Sequence, residues 1–484
     1  LKIDELEIEN DFFRFDSSFY ELVKATPLKE PRLISFSKSA CDLIGLDYSE
    51  CEKKEFIDFL NGKKLLKNST PYATVYAGHQ FGHFVAQLGD GRAINLGILN
   101  GYHLQTKGSG VTRYSRQGDG RAILRSSIRE YLLSEAMQGL NIPTTRALAI
   151  ISSKTEVSRD WKLESCAIVL RLSPSFIRVG TFEYFARTKD AKNNILKLAD
   201  LLIEQVYKDL KDKDNKYELM FFELVDRSAK LLALWQSYGF CHGVLNTDNF
   251  SVAGLTIDYG PYAFMDYFEH DYICNHTDYE GRYSYKNQPY IARWNLLVLA
   301  DSLTEICNYE NLKNYMKNFL PIFEKEFLSF MSKRVGLDCN KSADSNFTLI
   351  FELQNALQSS KIDYNYFFYC LTNLKSFSNI NEILEFCKNP TALKSWFSKY
   401  EKVCLEQNSS FDARLEIMKK VNPKYILKNY IIEEAIKKAQ NNDFSLVNDL
   451  LKIAQNPFDE HKDFERYSKP TPQQFSNIKL SCLS

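Results

Sequence analysis

The chain has 484 residues, is 44% hydrophobic and 14% aromatic, and sets 61 Lys and Arg against 61 Asp and Glu. That supplies a large core and a length suited to two lobes, while the zero net charge excludes steering of the whole molecule toward nucleic acid or an acidic membrane. No apolar run approaches the roughly 18 residues of a transmembrane helix, and Leu1 to Tyr20 is too acidic for a signal or transit peptide. The expectation is a soluble, non-secreted protein with no membrane or nucleic-acid partner. Eleven Cys without a C-x-x-C pair argue against a zinc site or a disulfide framework and for a reducing compartment.

In chain order, residues 1–71 mix short amphipathic helices with Lys-rich turns and read as an N-terminal extension. From Tyr72 the texture changes to short strand-like runs between Gly-rich turns: Ala93 to Leu96, Tyr102 to Thr106, Arg146 to Ser152 and Cys166 to Leu172. Among them, Ala122 to Leu140 carries apolar residues at helical spacing and stops at Gly139 and Pro143. From Ile195 the pattern is helical, and Leu219 to Tyr238 forms an amphipathic helix leading into a Gly-, Asn- and Asp-rich loop. After Gln288 the chain reads as helix, ending in a Pro-containing tail. The fold class is therefore α+β, with a sheet-bearing lobe at 72–190, a catalytic segment at 191–300 and a helical region at 301–484 that ends in a redox-active tail.

That loop carries the chemistry. His242-Gly243-Val244-Leu245-Asn246-Thr247-Asp248-Asn249 keeps the spacing of the protein-kinase catalytic loop, and Asp258-Tyr259-Gly260 follows as D-F-G does in kinases. Val244 stands where a kinase has its catalytic Asp. Asn249 and Asp258 are the candidate metal ligands, because Mg²⁺ takes oxygen donors and leaves positions for phosphates and water. Asp248 is the free carboxylate for base work, with a backbone-capping Asp as the alternative, and His242 supports the loop. Upstream, Gly89-Asp90-Gly91-Arg92 could bring backbone N–H groups to phosphates, although a plain hairpin turn reads equally well. Lys107 at a strand end and Glu130 on the following helix occur in the order of the kinase Lys–Glu pair. Gly118-Asp119-Gly120-Arg121 adds glycines that a strand-to-helix connection does not need. Arg171 and Arg178 flank the end of an apolar strand, as phosphate ligands or as partners of carboxylates. His79 and His83 sit at zincin spacing, but Gln80 replaces the Glu and Gly82 weakens a helix, which favours a structural role.

Together these stretches, with Tyr76-Ala77-Gly78-His79-Gln80-Phe81-Gly82, Lys107-Gly108-Ser109-Gly110, Ile142-Pro143-Thr144-Thr145-Arg146-Ala147 and Cys274-Asn275-His276, resemble the selenoprotein O (SelO/YdiU) family, most densely over residues 72–300. The resemblance implies a kinase-like pseudokinase fold that binds ATP in reversed orientation and transfers AMP to Ser, Thr or Tyr hydroxyls of proteins, releasing pyrophosphate. It implies ATP contacts from Gly89, Gly91, Arg92, Lys107, Asp119, Gly120, Arg171, Arg178 and Asp258, Mg²⁺ or Mn²⁺ on Asn249 and Asp258, a Lys107–Glu130 ion pair and Asp248 as base. Position 482, selenocysteine in some members, is Cys here, and a Cys274–Cys482 disulfide is the expected redox element. The compartment implied is the cytoplasm of a bacterium or the mitochondrion of a eukaryote. Read from the residues alone, a phosphate-transferring kinase and a silent nucleotide-binding scaffold stay open beside AMP transfer.

Overall fold

A computed structural model describes residues 1–476 and 478–481. The strands are β1 (Tyr20–Leu22), β2 (Arg32–Phe36), β3 (Tyr72–Thr74), β4 (Gly78–Gln80), β5 (His83–Val85), β6 (Ala93–Leu99), β7 (Tyr102–Lys107), β8 (Ala122–Ile123), β9 (Arg146–Arg159) and β10 (Lys162–Ser173). All but β4 and β5 join one antiparallel sheet in the order β1-β3-β6-β7-β10-β9-β2, with β8 also on β10. The first 71 residues thus supply both edge strands as well as the helices α1 (Lys38–Ile44) and α2 (Lys54–Leu60).

Alternation along β10 sets up the site. Cys166, Ile168, Leu170 and Leu172 face the core formed with α1 and α2, so Ala167, Val169 and Arg171 face the other side. That side is covered by α3 (Leu124–Gly139). Arg171 lies opposite Gln105 of β7 in the ladder, and Lys107, two residues on, shares the face of Gln105. The sheet therefore presents Lys107 and Arg171 to the one helix that carries Glu130.

α3 is buried around nearly its whole circumference. Besides the sheet it packs against the C-terminal helices Asn429–Gln440 and Ser445–Gln455. A Cβ at Gly139 would stand 2.0 Å from the Ala454 carbonyl oxygen, so the contact is made backbone to backbone.

Past the sheet the chain is helical: α4 (Val179–Phe185), α5 (Ala191–Gln205), α6 (Lys216–Tyr238), α7 (Gln288–Ser302) and further helices to Gln455. α6 ends on Gly239, whose φ of 70° is a left-handed C-cap, and passes directly into β11 (Phe240–Cys241). β11 pairs with β12 (Ala263–Phe264), and this short ladder ties together the two ends of the segment holding His242, Asp248, Asn249 and Asp258. No helix among the described residues is long and apolar enough to cross a membrane.

Candidate active site

One cleft of about 720 Å³ between the sheet and the 242–262 segment is lined by Gly89, Gly91, Arg92, Lys107, Asp119, Gly120, Arg171, Arg178, Asp248, Asn249 and Asp258. Glu130 lies at its back, in a smaller adjoining cavity with Arg92, Lys107 and Arg121. The sequence candidates for nucleotide binding thus converge, from five separate stretches of chain.

Its floor is a buried charge cluster. Lys107 Nζ lies 2.6 Å from Glu130 Oε2, Arg171 Nη1 donates to Glu130 Oε1 at 2.8 Å and to Asp258 Oδ1 at 2.5 Å, and Arg178 Nη1 donates to Asp258 Oδ2. Arg171 also holds Gln105. Burial alone would raise the Asp258 carboxyl, but Arg178, Arg171 and Lys107 outweigh it and hold the group well below the usual carboxylate range. For Lys107 burial is the larger influence and pushes the ammonium down despite Glu130. Three cations face two carboxylates, and the site is open to further negative charge. Asp258 has a φ of 58°, unusual for a residue with a side chain, and the two Arg contacts fix it there.

The adjacent loop is built differently. His242 donates from Nε2 to the Ile257 carbonyl at 2.8 Å and accepts the Val244 N–H on Nδ1. Burial lowers its pKa, so a neutral ring pins the loop to the strand-like run before Asp258. Among the described residues no cation pairs with the Asp248 carboxylate. The Arg178 guanidinium binds the Asp248 backbone carbonyl at 2.6 Å instead, and the carboxylate receives Gln80 Nε2 at 3.1 Å. Burial, partly offset by Gln80 and Arg178, pushes the Asp248 carboxyl up to about 6. A group poised there can take a proton near neutral pH.

The glycine-rich stretches enclose the mouth. Gly120 has a φ of 68°, and a Cβ on it would stand 2.1 Å from the Gly110 carbonyl oxygen, so two loops pass with no room for a side chain. Asp119 is held by both terminal nitrogens of Arg159 at 2.7 and 2.8 Å. Arg159 ends a strand that starts at Arg146, and no local motif marks it as a site residue. Gln80, next to His79, likewise carries no local motif of a site residue. His79 pairs with buried Glu183 at 2.5 Å, and His83 is exposed.

The residues fit a divalent cation. Asn249 donates its amide nitrogen to the Val244 carbonyl at 3.0 Å, which leaves Oδ1 as a neutral oxygen donor on the cleft wall. Asp258 keeps its negative charge, and a carboxylate that accepts two guanidinium bonds has further lone pairs to offer. No group of three or more His, Cys, Asp or Glu that could hold a metal occurs among the described residues, so such an ion would complete its coordination with substrate oxygens and water. Cys274 lies outside the cleft and is buried, its thiol 3.4 Å from the Cys241 carbonyl and its pKa raised by that burial. Cys482 lies outside the described residues. The tail reaches Cys274's neighbours, since Leu480 bridges to Asn275 and accepts the His276 N–H at 2.7 Å.

The cationic floor, the oxygen donors of Asn249 and Asp258 beside it and the separate carboxylate suit an enzyme that handles a nucleotide's phosphates, and relatives agree. A protein of Pseudomonas putida strain GB-1 described as protein nucleotidyltransferase YdiU is 41% identical over 487 aligned residues, covering all of this chain and 99% of the relative. Proteins of the same description from Pseudomonas entomophila and Pseudomonas aeruginosa PAO1 are each 40% identical over the same spans. The chain is thus a nucleotidyltransferase. The family model for protein adenylyltransferase SelO matches residues 2–455, and the chain belongs to that family.

Proposed function

We propose that this enzyme transfers AMP from ATP to Ser, Thr or Tyr hydroxyls of protein substrates on a kinase-like two-lobed scaffold, releasing pyrophosphate. The observation that carries the reading is the division of labour between two aspartates of the cleft: Asp258 is anionic and locked by Arg171 and Arg178, and Asp248 has no cation on its carboxylate among the described residues and is pushed up to about 6. Arg92, Lys107, Arg171 and Arg178 neutralise the triphosphate, the Gly89–Gly91 and Asp119–Gly120 backbones border it, and Asn249 and Asp258 hold Mg²⁺, or Mn²⁺ in its place. The bound cation neutralises charge that builds on the phosphates. Asp248 accepts the acceptor's proton as its oxygen attacks. Val244 at the kinase base position and the family membership favour AMP over phosphoryl transfer.

ATP labelled at the α-phosphorus should mark a protein acceptor, and ATP labelled at the γ-phosphorus should not; the reverse result would establish a kinase, and no label from either a scaffold. The Leu480–Asn275 bridge supports the Cys274–Cys482 disulfide as a redox element of the same enzyme. Peptide mapping of oxidised protein without reductant should recover that cross-link, and two free thiols would remove it.

A further inference from the structure

The β4–β5 hairpin is a separate two-stranded unit, outside the large sheet, and it grips the base loop residue by residue. The His79 N–H donates to Thr247 Oγ1 at 2.7 Å, the Phe81 N–H donates to Asn246 Oδ1 at 3.2 Å and to the Tyr283 hydroxyl at 2.9 Å, and between them Gln80 Nε2 donates to Asp248 Oδ2 at 3.1 Å. The hairpin packs against α4, with His79 Nδ1 2.5 Å from Glu183 Oε1.

The two oxygens of Asp248 are therefore unlike. A Cβ at Gly78 would stand 2.5 Å from Asp248 Oδ1 and 2.8 Å from its Cγ, so the bare Gly78 backbone lies flat against that side of the carboxylate. Oδ1 is buried there and has no hydrogen-bond partner among the described residues. Oδ2 lies on the Gln80 side, and Gln80 and Asp248 both line the cleft. A carboxylate oxygen has two lone pairs. With one occupied by the Gln80 amide, the other is aimed, and rotation of the carboxylate would cost the amide bond and meet Gly78.

Taking Asp248 as the base of the proposed reaction, on which this rests, we propose that Gln80 is a positioning residue that selects Oδ2 as the proton-accepting oxygen and aims it at the acceptor hydroxyl. In that step the acceptor oxygen forms a bond to the α-phosphorus and its proton passes to Oδ2. The bond from the α-phosphorus to the β-phosphate oxygen breaks, and its electron pair leaves with pyrophosphate. Gly78 is the other half of the device, since it closes the unproductive oxygen.

The test is steady-state AMP transfer to a protein acceptor at saturating Mg-ATP, with ATP binding followed by calorimetry. Gln80→Ala should lower kcat about tenfold, the scale of one charge-assisted hydrogen bond, while KM and Kd for ATP stay within about twofold. Gln80→Glu keeps the shape but sets a like charge against Asp248, and should lower kcat further at the same ATP affinity; it decides the matter if the Ala variant does not fold. Full kcat in folded Gln80→Glu, or a loss that appears in ATP affinity and not in kcat, overturns the proposal. Asp248→Ala separates the two layers. If it is inactive while the Gln80 variants keep full kcat, only the role of Gln80 fails; if Asp248→Ala itself keeps full kcat, the base assignment fails and Gln80 falls with it.

Discussion

Asp248, buried, and Asp258, partly buried, line one cleft ten residues apart, and their carboxyl groups are driven in opposite directions. Burial acts on both in the same sense. What differs is the neighbour: Asp258 has a guanidinium on each oxygen, whereas the guanidinium nearest Asp248 binds its backbone carbonyl. Arg178 serves both, with its charge committed to Asp258 and a hydrogen bond spent on the shape of the Asp248 loop. One residue type yields a permanent anion or a carboxyl raised to about 6 according to which atoms an arginine reaches.

The comparison breaks most severely at Asp258. Asp258→Asn keeps the volume and removes the charge, so Arg171 and Arg178 become surplus cations and the proposed metal ligand is weakened; transfer should fall by ~10²-fold or more, and Tm should drop, because an ion pair in this largely buried cluster that loses one partner is destabilised. An unchanged initial rate would show that the cluster is only structural. Lys107→Ala should give a comparable loss of rate. Asp248→Ala should lower kcat by ~10²-fold with ATP affinity nearly unchanged, and calorimetry showing lost affinity at normal kcat would reverse the assignment. A milder version needs no mutation. Because its pKa is raised, Asp248 is the carboxylate only above about 6, so kcat should fall as pH drops through that value, and a profile flat across it would exclude Asp248 as the titrating base. The smallest effect belongs to the half-exposed Asp119–Arg159 pair: Arg159→Ala should raise KM for ATP about two- to fivefold, since such pairs contribute roughly 0.2–1 kcal/mol, and a loss of kcat would place Arg159 closer to the chemistry.

The sequence pattern disclosed the parts of the site that have local signatures. The spacing from His242 to Asn249, the D-x-G at Asp258 and the Lys107-to-Glu130 order are short-range features, and Arg171 is conspicuous because it follows the apolar run Cys166 to Leu170 within its strand. The alternative of phosphate ligand against carboxylate partner for Arg171 and Arg178 dissolves in three dimensions: both pair with Asp258 and both line the cleft. Gln80 and Arg159 escaped because their partners are distant in sequence and nothing in a Gln or a strand-end Arg marks such a partner. The edge strands β1 and β2 escaped likewise. They are short, and their register comes from β3 and β9, so the first 71 residues read as helices and turns while in fact closing both margins of the sheet.

The packing of α3 also limits how this enzyme can be turned off. Kinase activation control often works by the position of the helix that bears the Glu partner of the active-site Lys. Here that helix lies under the sheet on one side and under Ser445–Gln455 on the other, with Gly139 against the Ala454 carbonyl, and Arg129 beside Glu130 donates to the Tyr262 carbonyl at 3.1 Å while the Tyr262 hydroxyl donates back to the Arg129 carbonyl at 2.9 Å. An outward swing of α3 would open the main core and break both bonds at once. The Lys107–Glu130 pair is therefore built into the core, and control by displacing α3 would carry the cost of opening it.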